Sequence, residues 1–246
     1  MQHSAFDLIR QHPIASLNTE VFEFKHRQTG ASHFHFASKN PENVFLVGFR
    51  TVPMNHKGTA HILEHTALCG SKKYPVRDPF FMMIRRSLNT FMNAFTSNDW
   101  TAYPFASTNR KDFFNLLDVY LDAAFFARLD ELDFLQEGHR LEFTEANNPD
   151  SELVYKGVVF NEMKGAMSSI SSTLWQTLCK HLFPSTTYHY NSGGDPEHIT
   201  DLSYQELRNF YQTHYHPSNA MFASFGDIDV IDIQTQMHEQ ALQHLT

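Results

Sequence analysis

Positive charge is scarce and scattered in this 246-residue chain. There are 19 Lys and Arg against 27 Asp and Glu, a net charge of −8 and a pI near 6.0. No Lys/Arg run exceeds two residues. Nucleic-acid and anionic-membrane surfaces need clustered positive charge, so neither partner is expected. Cysteine is scarcer still: Cys69 and Cys179 are too few for a disulfide scaffold, and reduced thiols in a cytosol-like compartment are the simplest expectation. No apolar run approaches the roughly 20 residues of a membrane helix. The opening MQHSAFDLIRQHPI lacks the basic-then-apolar order of a secretory signal and the arginines of a transit peptide. A cytoplasmic location is the resulting default. Internal repeats and low-complexity linkers are also missing.

Apolar bulk is plentiful. Hydrophobic residues make up 41% of the chain and 23 are phenylalanine, enough for one large core or two small domains. Residues 1–18 read as an arm and 19–246 as one domain. The segment 19–38, TEVFEFKHRQTGASHFHFAS, alternates apolar residues on both sides of a Gly-containing turn and predicts a hairpin. NVFLVGFRT (43–51) is apolar enough for a central strand. A helix is bounded by Gly58 and Gly70, and another starts at Asp78 as N-cap with Pro79 at the first position. A second hairpin is expected over 91–107 around Ser97-Asn98-Asp99. Helical spacing of apolar residues marks 111–129. Further helices are expected at 152–169, 172–183, 203–215 and 229–245, with a strand at 219–228. Interleaved helices and hairpins predict an α+β fold, a mostly antiparallel sheet packed with helices.

Chemistry concentrates in GTAHILEHTALCG (58–70). At about 100° per residue, with His61 at 0°, His65 falls near 40° and Glu64 near −60°. The two imidazoles then face one way a turn apart, as a shared metal ion requires. Glu64 stands to one side, better placed to take a proton from water than to bind the ion. H-x-x-E-H is the zinc motif H-E-x-x-H read backwards. The bland reading stays open, because 16 histidines produce i, i+4 pairs by chance.

Two histidines do not complete a catalytic zinc site. Glu162 is the candidate third ligand: on the expected helix its neighbours Tyr155, Val158, Val159 and Ala166 are apolar, and a carboxylate there needs a cation or good hydrogen bonds. A Glu with its head in solvent is the competing reading. Cys69 shares the helix face of His65 but reads as a buried thiol. The pairs His33/His35 and His214/His216 read as solvated or capping, and Gly193-Gly194 as a turn without a phosphate-loop lysine.

With these motifs in view, the sequence resembles the pitrilysin-type inverzincin metallopeptidases, in particular their presequence-protease branch. The resemblance runs through GTAHILEHTALCGSKKYPVRDPF, NTFMNAFTSNDWTAYPFAS, YKGVVFNEMKGAMSS, YNSGGDPEHITDLSYQELRNFYQTHYHPSNAMF and FGDID, nearly the whole chain from residue 19. It implies one Zn2+ per chain bound by His61, His65 and Glu162, with Glu64 as catalytic base. It also implies that the strand Asn93-Ala94-Phe95-Thr96 pairs with an unstructured peptide substrate, making Asn93 and Ala94 the substrate-binding candidates. Family members are longer, with four related domains, and take further substrate-holding residues from a second half. The resemblance therefore implies a catalytic domain that is weak or inactive without a C-terminal half, and a fragment prone to self-association through the face that half would cover. A non-catalytic peptide-binding protein or a structural subunit is the alternative.

Overall fold

The computed structural model describes residues 2–245. Alternation of apolar and polar side chains builds most of the sheet. Strands β1 (Phe6–Ile14), β2 (Thr19–His26), β3 (Ser32–Ala37) and β4 (Asn43–Arg50) come first. In β4 the odd positions Phe45, Val47 and Phe49 are buried, while Val44, Leu46 and Gly48 are half-exposed and Arg50 is exposed, the period-2 pattern of a sheet with one covered face. Helices α1 (Thr59–Ala67) and α2 (Pro79–Arg86) follow, then β5 (Asn89–Met92), β6 (Phe95–Thr96) and β7 (Trp100–Ser107). Next come α3 (Arg110–Phe125), α4 (Glu131–Glu137), the small hairpin β8 (Arg140–Phe143) and β9 (Leu153–Lys156), then α5 (Val158–Met167) and α6 (Ile170–Leu182). The chain ends with α7 (Pro196–Ile199), α8 (Tyr204–His214), β10 (Ala220–Gly226) and α9 (Val230–Gln240).

The main sheet runs β1-β2-β3-β10-β4-β7-β5, with β6 paired to β7. Every pairing is antiparallel except β10 with β3, so the α+β expectation holds. Helices α1 and α3 pack on one face against β7, α3 also against β4, and α9 packs beside α3. The core between is largely aromatic: Phe49 stacks on Tyr215 at 4.3 Å between ring centroids, Phe105 meets Phe113 at 5.2 Å, and the Tyr103 and Tyr215 hydroxyls lie 2.7 Å apart. Each such ring, fully buried, stabilises the fold by about 1.5–3 kcal/mol. Helix α3 begins where Asn109 accepts from the Asp112 amide at 3.0 Å, and α8 begins with a complete capping box of Ser203 and Glu206. Among the described residues no helix is long and apolar enough to cross a membrane.

Several expectations change. The segment expected as an arm carries β1, which pairs with β2 along the sheet edge. The helix expected over 152–169 begins only at Val158, because Leu153–Lys156 pair with Phe143–Arg140 as a hairpin. Gly157 separates the two elements, packed so tightly that an added Cβ would lie 2.0 Å from the Gly138 carbonyl oxygen. Asp78 occupies the N-cap position of α2 without capping it: its φ is +54° and its side chain makes no cap hydrogen bond, lying instead 3.5 Å from Arg77 Nε.

Candidate metal centre

Helix α1 is buried on nearly every side, through Ala60, His61, Ile62, Leu63, Glu64, Thr66 and Ala67. That burial leaves its polar groups to be satisfied by specific partners. Its N-cap, Gly58, has φ +66°, and a Cβ there would meet Gly193 O and Gly194 Cα at 2.8 Å. Glycine at 58 thus lets the turn 191–194 press on the start of the helix. The contact puts the Gly193 carbonyl 2.9 Å from His61 Nδ1. A carbonyl only accepts, so Nδ1 carries the proton and Nε2 is left with its lone pair.

One turn on, His65 Nδ1 lies 3.1 Å from Glu137 Oε2 at the end of α4. The Nε2 atoms of both rings converge on one carboxylate oxygen: Glu162 Oε2 is 3.7 Å from His61 Nε2 and 3.9 Å from His65 Nε2. One donor atom from each of the three residues lies within 4.8 Å of the other two, the only such group of His, Cys, Asp and Glu among the described residues. Ligand bonds of about 2.1 Å in tetrahedral arrangement set donors roughly 3.4 Å apart, so two imidazoles and a carboxylate at this spacing suit a zinc-sized ion.

Glu162 reaches the site differently from expectation. Tyr155 belongs to β9 rather than to the helix of Glu162, and Val158 is 43% exposed. The Glu162 side chain is itself 53% exposed. It is not a charge trapped on an apolar face but a carboxylate projecting from the rim of α5 toward two imidazoles.

Glu64 is buried, and its Oε2 accepts from the Thr96 hydroxyl at 2.6 Å. Burial pushes its carboxyl above the ordinary glutamate range, while Thr96 and the two imidazoles pull part of the way back. For His65, burial works against the imidazolium, but the Glu137 hydrogen bond and the carboxylates of Glu64, Glu137 and Glu162 outweigh it and leave the pKa raised. Burial likewise opposes ionisation of Glu137, and its bonds to His65 and Gln136 reverse the balance to leave its carboxyl below the usual range.

Asn93 and Ala94 lie in the two-residue break between β5 and β6, not within a strand. The Ala94 amide donates to Asn93 Oδ1 at 2.9 Å, and the Asn93 carbonyl accepts from Tyr120 at 3.3 Å. Both residues line a cavity of about 270 Å³ that also holds Glu64 and His65 and whose apolar wall includes Phe80, Phe81 and Ile84. Cys69 opens on the same cavity. Its thiol donates to the His65 carbonyl at 3.4 Å, and burial pushes its pKa up, the state of an unreactive thiol. A larger cavity of about 590 Å³ lies on the sheet's other face, lined by side chains such as Phe34, Leu46 and Met221, far in character from a metal centre.

Sequence reading missed Thr96, Glu137 and the Gly193 carbonyl. Thr96 was within reach, since it sits in the hairpin expected beside the site. Glu137 gives a signal only in retrospect: a carboxylate ending a short helix just before Gly138. A backbone carbonyl has no sequence signal.

Comparison with known proteins adds three findings. The family model described as Insulinase (Peptidase family M16) matches residues 44–172, and that described as Peptidase M16 inactive domain matches 201–245. The presequence protease, mitochondrial, of Xenopus tropicalis is 51% identical over 230 residues, covering 94% of this chain and 22% of that protein. That of Danio rerio is 52% identical over 229 residues, covering 93% and 22%. The chain thus spans about a fifth of the length of these curated relatives. The crystal structure of pitrilysin superposes with a TM-score of 0.75 at 16% identity, over 96% of this chain and 24% of that one, which shows the shared fold. The relatives' names correct the cytoplasmic expectation, because proteins half identical to this one are named mitochondrial. On the match across the motif helix and the Glu162 helix together, the chain belongs to the insulinase family of peptidases, family M16.

Proposed function

We propose that this chain is the zinc-binding catalytic domain of an endopeptidase that cuts unstructured peptides. The observation that carries the reading is the convergence of His61 Nε2 and His65 Nε2 on Glu162 Oε2, with the buried Glu64 alongside. His61, His65 and Glu162 are the three protein ligands, one zinc per chain. Zinc held there supplies Lewis acidity, acidifying water and polarising a scissile carbonyl.

The chain's own groups do the rest. Thr96 occupies Glu64 Oε2 and so leaves Oε1 to act as general base, taking a proton from water and passing it to the leaving amine. The raised pKa of Glu64 strengthens it as a proton acceptor near neutral pH. Neither Ser nor Cys is needed as a nucleophile. Asn93 and Ala94 border the substrate path. Since the Ala94 amide is already bonded to Asn93 Oδ1, a peptide laid along this edge either displaces that bond or pairs from Phe95 onward. The apolar wall of the neighbouring cavity suits a large hydrophobic substrate side chain.

Full activity is proposed to need a C-terminal half like that of the longer relatives, and the uncovered faces of the chain alone to favour self-association. The mitochondrial names of the relatives make that compartment the one proposed in place of the cytosol. The test is zinc content of the purified chain and of Glu162→Gln, together with cleavage of a quenched unstructured peptide with and without the C-terminal half. Near one zinc per chain, falling sharply in the variant, and cleavage by the reconstituted pair are expected. A zinc-loaded pair that never cleaves overturns the peptidase reading.

A further inference from the structure

Glu137 is an expensive residue where it stands. It is 8% exposed, and it is the last residue of α4, where the carbonyl end of the helix disfavours a negative charge. The site cannot shift to relieve this. Gly138 follows, and a Cβ there would meet Phe134 O at 2.9 Å and the Ile62 side chain at 3.2 Å, so the end of α4 is pressed onto α1. Ordinary packing would be served by an apolar side chain at 137. A buried carboxylate in this position calls for a partner that uses it.

Both of its oxygens are engaged. Oε2 meets His65 Nδ1 at 3.1 Å, and Oε1 accepts from Gln136 Nε2 at 3.1 Å. Gln136 Oε1 in turn accepts from the Arg77 guanidinium. A chain of contacts therefore runs from an exposed cation through Gln136 and Glu137 to His65. Glu137 lies on the Nδ1 side of that ring, whereas Glu162 lies on the Nε2 side, so the two carboxylates cannot share one ion at His65.

The same logic governs the companion ring, in which Gly193 O holds Nδ1 of His61. The two partners differ in kind. A carbonyl fixes the tautomer, while a carboxylate fixes it and also makes the imidazole a stronger donor through its other nitrogen.

Resting on the zinc reading above, we propose that Glu137 is a positioning residue for His65: it holds the ring in the orientation and tautomer that present Nε2 to the metal, and thereby sets the site's affinity. Partners of this type are worth about 10–100-fold in metal affinity. The deciding experiment titrates the metal-free chain with zinc against a competing chelator and, separately, with Co2+ while recording its visible spectrum. Wild type, Glu137→Gln and Glu137→Ala are compared, with far-UV circular dichroism on each.

Glu137→Ala is expected to bind zinc about 10–100-fold more weakly. Glu137→Gln keeps an acceptor oxygen for Nδ1–H but not the charge. It is expected to fall in between and to shift the cobalt bands without loss of helix. A purely structural residue would lower stability and leave the cobalt spectrum unmoved. Wild-type affinity together with an unchanged spectrum in Glu137→Gln overturns the proposal, whatever the alanine variant does. If wild type itself binds neither metal, the zinc reading fails first and this inference falls with it.

Discussion

Two groups of histidines in this chain look alike in sequence and behave oppositely in the fold. His61 and His65 sit on α1, each held through Nδ1 with Nε2 turned toward Glu162. His33 and His35 sit on β3, buried at 0% and 3% exposure, and share the Ser224 hydroxyl of β10 at 2.8 Å each. His33 Nδ1 also faces Gln234 Nε2 at 3.4 Å, and nearby His26 Nε2 lies 3.0 Å from His238 Nδ1. The first group leaves both Nε2 atoms turned toward one carboxylate oxygen, the arrangement the zinc proposal uses. The second ties both nitrogens of His33 and of His26, and Nδ1 of His35, to the chain's own hydroxyls, amide and ring. What separates the two pairs is thus not spacing but how their ring nitrogens are engaged, and a neutral buried ring can be a structural polar node.

The sharpest way to break this contrast is in the chemistry. Glu64→Gln in the reconstituted peptidase is expected to lower turnover by about 10²–10⁴-fold, the usual worth of a general base, with zinc content unchanged. Turnover within a few-fold of wild type would remove Glu64 from its role. On the structural side, His33→Ala deletes a fully buried ring and its hydrogen bonds. It is expected to cost about 2–4 kcal/mol in urea denaturation while leaving zinc stoichiometry intact. Lost zinc with unchanged stability would invert the two groups.

The gentlest effect per step is pH dependence. Burial lowers His26 and His35 to about 4 and His33 to about 3, from an ordinary value of 6.5. Between those values and 6.5 the unfolded chain binds protons that the folded chain refuses, so stability falls as the pH falls. The contribution is complete above about 6.5 and is lost progressively toward pH 4 and 3. Asp229 acts in the opposite sense on His35, and His238 and His3 reinforce the lowering at His26. Urea midpoints measured from pH 7 to pH 4 are expected to decline, and less steeply in His33→Gln. A flat profile would mean that these rings are protonated in the fold.

Much of this fold is legible where one signal dominates. The apolar run 43–51, the hairpin 19–38 and the helices expected over 111–129 and 203–215 each state their structure locally, and each is found within a few residues. The α1 motif is legible for the same reason, since i, i+4 spacing fixes the relation of two side chains on one helix. Glu162 lies beside both histidines, but the apolar-face argument for it as a ligand fails: a strand replaces the first turn of its expected helix, and the side chain is half exposed. β-pairing between 140–143 and 153–156 joins residues 10 to 16 positions apart, which helical periodicity in one segment cannot reveal. The sequence reads His33 and His35 as solvated or capping, since no third ligand is in view, yet both are buried. Only the parallel placement of β10 beside β3 brings Ser224 to meet them.

The proposed third ligand, Glu162, rides on a weakly anchored helix. Of α5, only Val159 and Phe160 are buried, and of α6 only Cys179, with Ile170 at 87% and Trp175 at 60% exposure. Glu162 lies 97 residues beyond His65, so an ion gripping both closes a loop nearly as long as a small domain. Constraints of that span remove roughly 4–5 kcal/mol of chain entropy from the unstructured state in the simplest polymer picture. The ion would then serve as a tether as well as a reagent. Part of its binding free energy would go into restraining a segment the core scarcely holds, so that the order of α5 and α6 would rise and fall with metal occupancy while the main sheet stayed indifferent to it.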